Sequence, residues 1–160
     1  MSVAASLIII LICVIGEAFF SGSEIALVSV DKIKMRHEAQ QGRSAAQLIT
    51  RTIKSPEKIL GTTLLGTNVF TATNTTVAAS MFYKLLGPPG ITVSLITMAF
   101  VNWIFCEIVP KSVFQQLSDK ITPKIIYPLK FFYYLFFPVV WFFTTLAGFV
   151  TTLLQGGKAD

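Results

Sequence analysis

From Val3 to Val30 the chain runs through an almost unbroken apolar stretch whose only charged residues are Glu17 and Glu24. As a helix rising 1.5 Å per residue, that stretch is long enough to cross a hydrocarbon core of about 30 Å. A soluble fold has no way to cover such a helix on every side. The rest of the sequence agrees: 53% of its 160 residues are hydrophobic and 13% are charged, whereas soluble domains carry about 25% charged residues. The solvent for this surplus of apolar side chains is lipid or other apolar helices. The first residues lack the basic start of a secretory leader and the apolar run continues past Glu17, so the segment is read as a retained span.

Charge then assigns sides. Seven of the thirteen basic residues lie between Lys32 and Lys58, in the one clearly polar stretch, which the positive-inside rule places in the cytoplasm. Breaks at Gly42 and at Ser55-Pro56 divide this stretch into short helices. The net charge of +5 comes with no nucleic-acid-binding motif, and no nucleic acid partner is expected. A second span is expected over about 59–84. It has no charge from Ile59 to Tyr83 but carries seven threonines, two asparagines and two glycines. A tight turn, Gly87-Pro88-Pro89-Gly90, leads to a third span over about 91–113. The segment 125–154 is open on physics alone: its hydropathy suits a further span, while Pro123, Pro128, Pro138 and eleven aromatic residues between Tyr127 and Phe149 also suit a kinked helix lying in the interface. Residues 156–160 read as a linker or tail.

Ionisable groups within spans are costly, and their first reading is functional. Glu17, Ser21 and Glu24 share one helical face, and Gly22 with its flanking serines would let the helix loosen so that Ser23 joins them. Glu17, nearer one edge, also reads as solvated or paired. Glu107 precedes Pro110, which in a regular helix strips the Cys106 carbonyl of its hydrogen bond. Asn68 adds an amide oxygen, and Asn74, six residues on, falls on another face. The candidate donors are all oxygen, which suits Mg²⁺ or Ca²⁺. The only histidine, His37, lies in the polar stretch, and Cys13 and Cys106 read as small core residues. Neither an HExxH nor a GxSxG pattern occurs, and Ser112 beside Lys111 is too generic for a catalytic pair, so no enzyme is expected.

Three motifs, Phe20-Ser21-Gly22-Ser23-Glu24-Ile25-Ala26-Leu27, Leu65-Gly66-Thr67-Asn68 and Glu107-Ile108-Val109-Pro110-Lys111, make the chain resemble the transmembrane domain of the CorC/cyclin M (CNNM) magnesium transporters. The resemblance implies an all-α membrane domain over 1–155 in a homodimer. Each protomer would have three transmembrane helices, short cytoplasmic helices over 31–58 and a Pro-kinked, in-plane juxtamembrane belt helix over about 123–154. It also implies a multi-pass protein of the inner (plasma) membrane with a cytoplasmic C-terminus, continuing in full-length relatives into CBS modules absent here. The implied activity is Mg²⁺ transport, read as export with Na⁺ as a candidate coupling ion. The implied metal ligands are Ser21, Ser23, Asn68 and Glu107, with Glu24 at a neighbouring polar position. Thr71 stands where relatives often have a second asparagine, and no role is assigned to it. The rival reading is a membrane anchor or regulatory scaffold that transports nothing.

Overall fold

A computed structural model describes residues 2–154 of the chain, with side-chain environments given as far as Phe142 and at Thr145 and Leu146. The tail read as a linker, 156–160, lies outside the described residues. Seven α-helices account for nearly all of the rest: α1 Val3–Ser29, α2 Lys32–Gln40, α3 Ser44–Ile53, α4 Pro56–Leu86, α5 Pro89–Val101, α6 Val109–Gln116 and α7 Ser118–Leu154. A π-helical segment, Asn102–Ile108, joins α5 to α6. No strand occurs among the described residues.

The local signals act where the sequence places them. The Ser2 hydroxyl caps α1 by accepting from the Ala5 N–H, and Asp31 caps α2 by accepting from Ile33 and Lys34. Gly42, at φ +86°, separates α2 from α3. Pro56 opens α4, where its missing N–H costs nothing. Gly87, at φ +71°, ends α4. At Gly90 a side chain would collide with the Phe82 carbonyl, so this glycine sets how closely α4 and α5 approach.

Three helices are long and apolar enough to cross a membrane: Val3–Ser29, Pro89–Gln116 and Ser118–Phe142. The first and second match the spans expected over 3–30 and 91–113. The helix expected to span over 59–84, α4, is 31 residues long but is not among the three, because its threonines lower its hydropathy. Those hydroxyls are nevertheless satisfied inside the helix: Thr62, Thr71, Thr73 and Thr76 each donate to the carbonyl four residues earlier at 2.7–2.9 Å. Side chains bonded in this way present mainly methyl groups to their surroundings.

Close contacts fix the register. A Cβ on Gly16 would stand 2.7 Å from the Phe70 ring, and one on Gly66 the same distance from the Phe20 ring, so α1 and α4 run antiparallel. The Cys106 thiol donates to the Val14 carbonyl at 3.7 Å, and Phe114 covers Gly22, so the α5–α6 span runs parallel to α1. At the foot of α1, Ser118 donates to the Ser29 carbonyl and Thr122 to the Ala26 carbonyl. The core is aromatic and aliphatic: Phe20, Leu27, Met35, Ile49, Ile126 and Leu129 are buried together, with Phe70, Phe132 and Phe136 packed against them. The start of α7 is also tied to α2. Asp119 accepts the Asp31 N–H at 3.0 Å and pairs with Lys34 at 3.0 Å; these bonds hold its carboxyl below the usual carboxylate range and raise Lys34.

The path of α7 follows from the same register. Val140 packs on Gly61 of α4, and Gly61 lies level with residue 25 of α1, given that 66 pairs with 20 and 70 with 16. From Ser118 to Val140 the helix travels about 33 Å at 1.5 Å per residue. Yet it begins level with residue 29 of α1 and finishes level with residue 25, and its deepest packing is of Phe132 and Phe136 against Phe20. A helix running alongside α1 would have advanced one level per residue. Helix α7 therefore crosses α1 at an angle rather than running alongside it, and it continues through Pro123, Pro128 and Pro138.

Candidate functional site

The five expected ligands lie within a slab of the domain but do not converge on one point. Helix α1 stays regular through Phe20–Glu24, so the local loosening does not occur and Ser21 and Ser23 project in different directions. Both are buried, at 2% and 0% exposure, and neither hydroxyl has a hydrogen-bond partner among the described residues. Glu24 is half-buried and lines a recess of about 140 Å³ with Lys32, Thr52 and Pro56. Asn68 is exposed. The Glu107 side chain is 50% exposed, with Lys111 at 3.9 Å. By the register above, Asn68 lies level with residue 18 of α1 and Glu107 with residue 15, so the five occupy about 13 Å of depth. Among the described residues no three of His, Cys, Asp and Glu gather as a metal-holding group, and both cysteines are free and buried.

The backbone before Pro110 departs from expectation in an informative way. Instead of a kink, the chain widens into the π-helical turn Asn102–Ile108, in which the Val109 N–H donates to the Ile104 carbonyl five residues earlier. The extra residue in the turn gives the proline ring room. Having no N–H, Pro110 donates to neither the Phe105 nor the Cys106 carbonyl. Glu107 sits inside this turn, and such turns are frequent at functional sites.

Of the two readings open for Glu17, solvated or paired with a neighbour, the structure bears out the second. Glu17 is not solvated: at 3% exposure it is among the most buried polar residues of the protein. The Asn74 side-chain Nδ2 donates to its carboxyl at 2.9 Å and to the side-chain Oδ1 of Asn102 at 3.1 Å. Thr75 donates to the Asn74 carbonyl oxygen at 3.0 Å, and Thr71 and Cys106 stand beside the same carboxyl. The network joins α1, α4 and the first residue of the π-helical turn. The signal was available, since Asn74 lies on a different face from Asn68 and that face points inward. What one chain could not supply was the register bringing residues 17, 74 and 102 to one depth.

Residues 8–160 match the cyclin M transmembrane N-terminal domain family. The chain is 29% identical over 155 residues to a UPF0053 protein of Haemophilus influenzae, an alignment covering 96% of this chain and 36% of the relative. It is 24% identical to the UPF0053 inner membrane protein YfjD of Escherichia coli, covering 90% of this chain and 33% of that one. It is 28% identical to the polyamine export protein of Escherichia coli, covering 92% and 36%. The chain thus spans about a third of the length of these curated relatives. A match over all but the first seven residues, on an all-helical chain with three helices fit to cross a membrane, shows that this protein belongs to the cyclin M transmembrane N-terminal domain family.

Proposed function

We propose that the chain is the membrane-embedded part of a cation exporter whose cargo is Mg²⁺, held in transit by Ser21, Ser23, Asn68 and Glu107, with Glu24 beside them. The observation that carries this reading is the pair of buried, partnerless hydroxyls of Ser21 and Ser23. The neighbouring threonines of α4 bond back to their own helix, whereas these two hydroxyls do not, and a buried polar atom without a partner calls for a ligand. Glu107, in a widened turn about 9–12 Å from them in depth, brings the negative charge that a doubly charged cargo needs. Mg²⁺ takes six oxygens at about 2.0–2.1 Å. The donors do not meet within one protomer, so helix movement or a second copy of the chain completes the cage. Na⁺ is the coupling ion in this scheme, and the homodimer, the CBS modules of longer relatives and the inner-membrane location belong to the same proposal.

The topology that accompanies it places the basic α2–α3 region in the cytoplasm, with α1, α4 and α5–α6 crossing. Helix α7 lies along the cytoplasmic interface as a belt, because it gains so little depth over its length. A second reading comes from the relative named as a polyamine export protein: a polyamine is likewise a multiply charged cation, but it asks for hydrogen-bond acceptors spread along a chain rather than a compact cage. Thermal stability of the purified protein and of Glu107→Gln, titrated with Mg²⁺, Ca²⁺, Na⁺ and spermidine at constant ionic strength, separates these readings. Saturable stabilisation that favours Mg²⁺ and disappears in Glu107→Gln is expected, followed by loss of Mg²⁺ flux from liposomes. Preference for spermidine moves the cargo to polyamines. No cation-specific response in either protein makes the domain a scaffold.

A further inference from the structure

A recess of about 220 Å³ opens where α3, the start of α4 and α7 meet; it shares Thr52 and Ile59 with the recess that Glu24 lines, but none of the proposed ligands lines it. Arg51, Lys58 and Lys130 line it together with Ser55, Tyr133 and Tyr134, and no carboxylate among the described residues does. The described ion pairs are Lys34 with Asp119, Arg43 with Glu38 and Lys111 with Glu107, so none of the three cations in the recess has an acidic partner among the described residues. Three like charges around one opening repel unless an anion sits between them. A second feature adds to the field. The 31-residue α4 begins here, and the Ser55 side chain does not cap it, so the positive end of the helix dipole faces the same region, offset in part by Glu57 in the first turn.

The walls indicate what kind of anion fits. Leu48 and Ile59 form an apolar side of the recess. On the same stretch of α7, Phe131 is 64% exposed, Tyr134 63% and Leu135 58%. A basic opening next to an uncovered apolar face suits an amphiphile better than a wholly hydrophilic anion. The recess also sits at the level of the membrane's cytoplasmic surface in the topology given above, where basic pockets meet anionic headgroups.

We propose that this recess binds the phosphate of an anionic phospholipid, with its acyl chains against the exposed face of α7. Lys130, whose Nζ lies 5.8 Å from the centre of the Tyr134 ring, and Arg51 and Lys58 across from it surround the phosphate. The bound headgroup would fasten α7 to α3 and α4.

The test is native mass spectrometry of the detergent-solubilised chain, titrated with dioleoyl-phosphatidylglycerol, with dioleoyl-phosphatidylcholine, and with inorganic phosphate. One phosphatidylglycerol per chain, held in preference to phosphatidylcholine, is expected. Each of Arg51→Gln, Lys58→Gln and Lys130→Gln should weaken it about fivefold, and the triple variant about a hundredfold, at about 1 kcal/mol per basic residue. All three side chains are exposed, so the helical circular dichroism should not change; if the triple variant misfolds, the single variants carry the test. Lys120→Gln with Lys124→Gln, on α7 outside the recess, is the control and should bind like the original chain. Undiminished binding by the Gln variants, an equal loss in the control, or inorganic phosphate competing as well as the lipid would each overturn the proposal, the last by assigning the recess to a soluble anion.

Discussion

Replacing Asn74 by leucine tests whether the buried network between α1, α4 and the π-helical turn holds these elements together. Asn74 is fully buried, and its amide nitrogen serves both Glu17 and Asn102. Leucine has the same branching and number of side-chain heavy atoms with bulkier tips, so it leaves no cavity, and the cost is mainly that of removing this partner from Glu17 at 3% exposure. A hydrogen bond to a charged group contributes about 1.5–3 kcal/mol, while interhelical bonds in membranes average about 0.6 and reach about 1.7. For Asn74→Leu we expect a loss of about 2 kcal/mol. Glu17→Leu should cost about 1 kcal/mol, because Asn74 keeps Asn102, and removing both partners of a bond is cheaper than removing one. The double variant should therefore be more stable than the sum of the singles by about 1–2 kcal/mol. Reversible unfolding in mixed micelles, followed by circular dichroism and by the fluorescence of Trp103 in the turn, measures this coupling. Additivity to within about 0.3 kcal/mol would refute the argument, showing that Asn74 and Glu17 do not depend on each other.

Acid should loosen the start of α7. The Asp119 carboxyl is held below its ordinary value by the Asp31 N–H and then by Lys34, so its contribution is present above the ordinary carboxylate range and lost as pH falls below about 4. Asp119→Asn keeps an acceptor for the Asp31 N–H but loses the ion pair, and should show a flatter thermal midpoint between about pH 5 and 2 than the original chain; identical profiles would rule the contact out as the source. The topology predicts that a cysteine placed at the exposed Leu86 reacts with a membrane-impermeant maleimide from the outside of intact cells, whereas one placed at Lys120 reacts only after permeabilisation. Equal labelling of both positions would reverse the assignment of α4 or α7.

Helix boundaries were legible because they rest on local chemistry. The breaks at Gly42 and Ser55-Pro56 and the turn at Gly87 fall where a permissive or ring-locked backbone is required. Span α1 and the continuous α5–α6 helix were legible from apolar length. Helix α4 was harder, because a hydropathy scale treats each threonine hydroxyl as a penalty, while the fold cancels most of them against carbonyls of the same helix. In the candidate site, Ser21 and Ser23 could be identified as unusual from sequence, but their divergent directions follow from α1 staying regular. Asn74 was not legible as the shared partner of Glu17 and Asn102, since their meeting depends on the depth at which separate helices pass. The widened turn before Pro110 was also hidden: a proline announces a disrupted bond but does not say whether the helix will bend or take up an extra residue.

The threonine-bonded α4 and the two residues linking it to α5, Gly87 and Pro88, have a consequence for biogenesis in the proposed topology. A helix too polar to partition into lipid alone, followed at once by one that partitions readily, has little reason to enter the bilayer by itself. The two would leave the translocation machinery as a hairpin, with α5–α6 supplying the partition energy for both and the close contact at Gly90 already formed on arrival. The membrane depth of α4 would then be inherited from its neighbour.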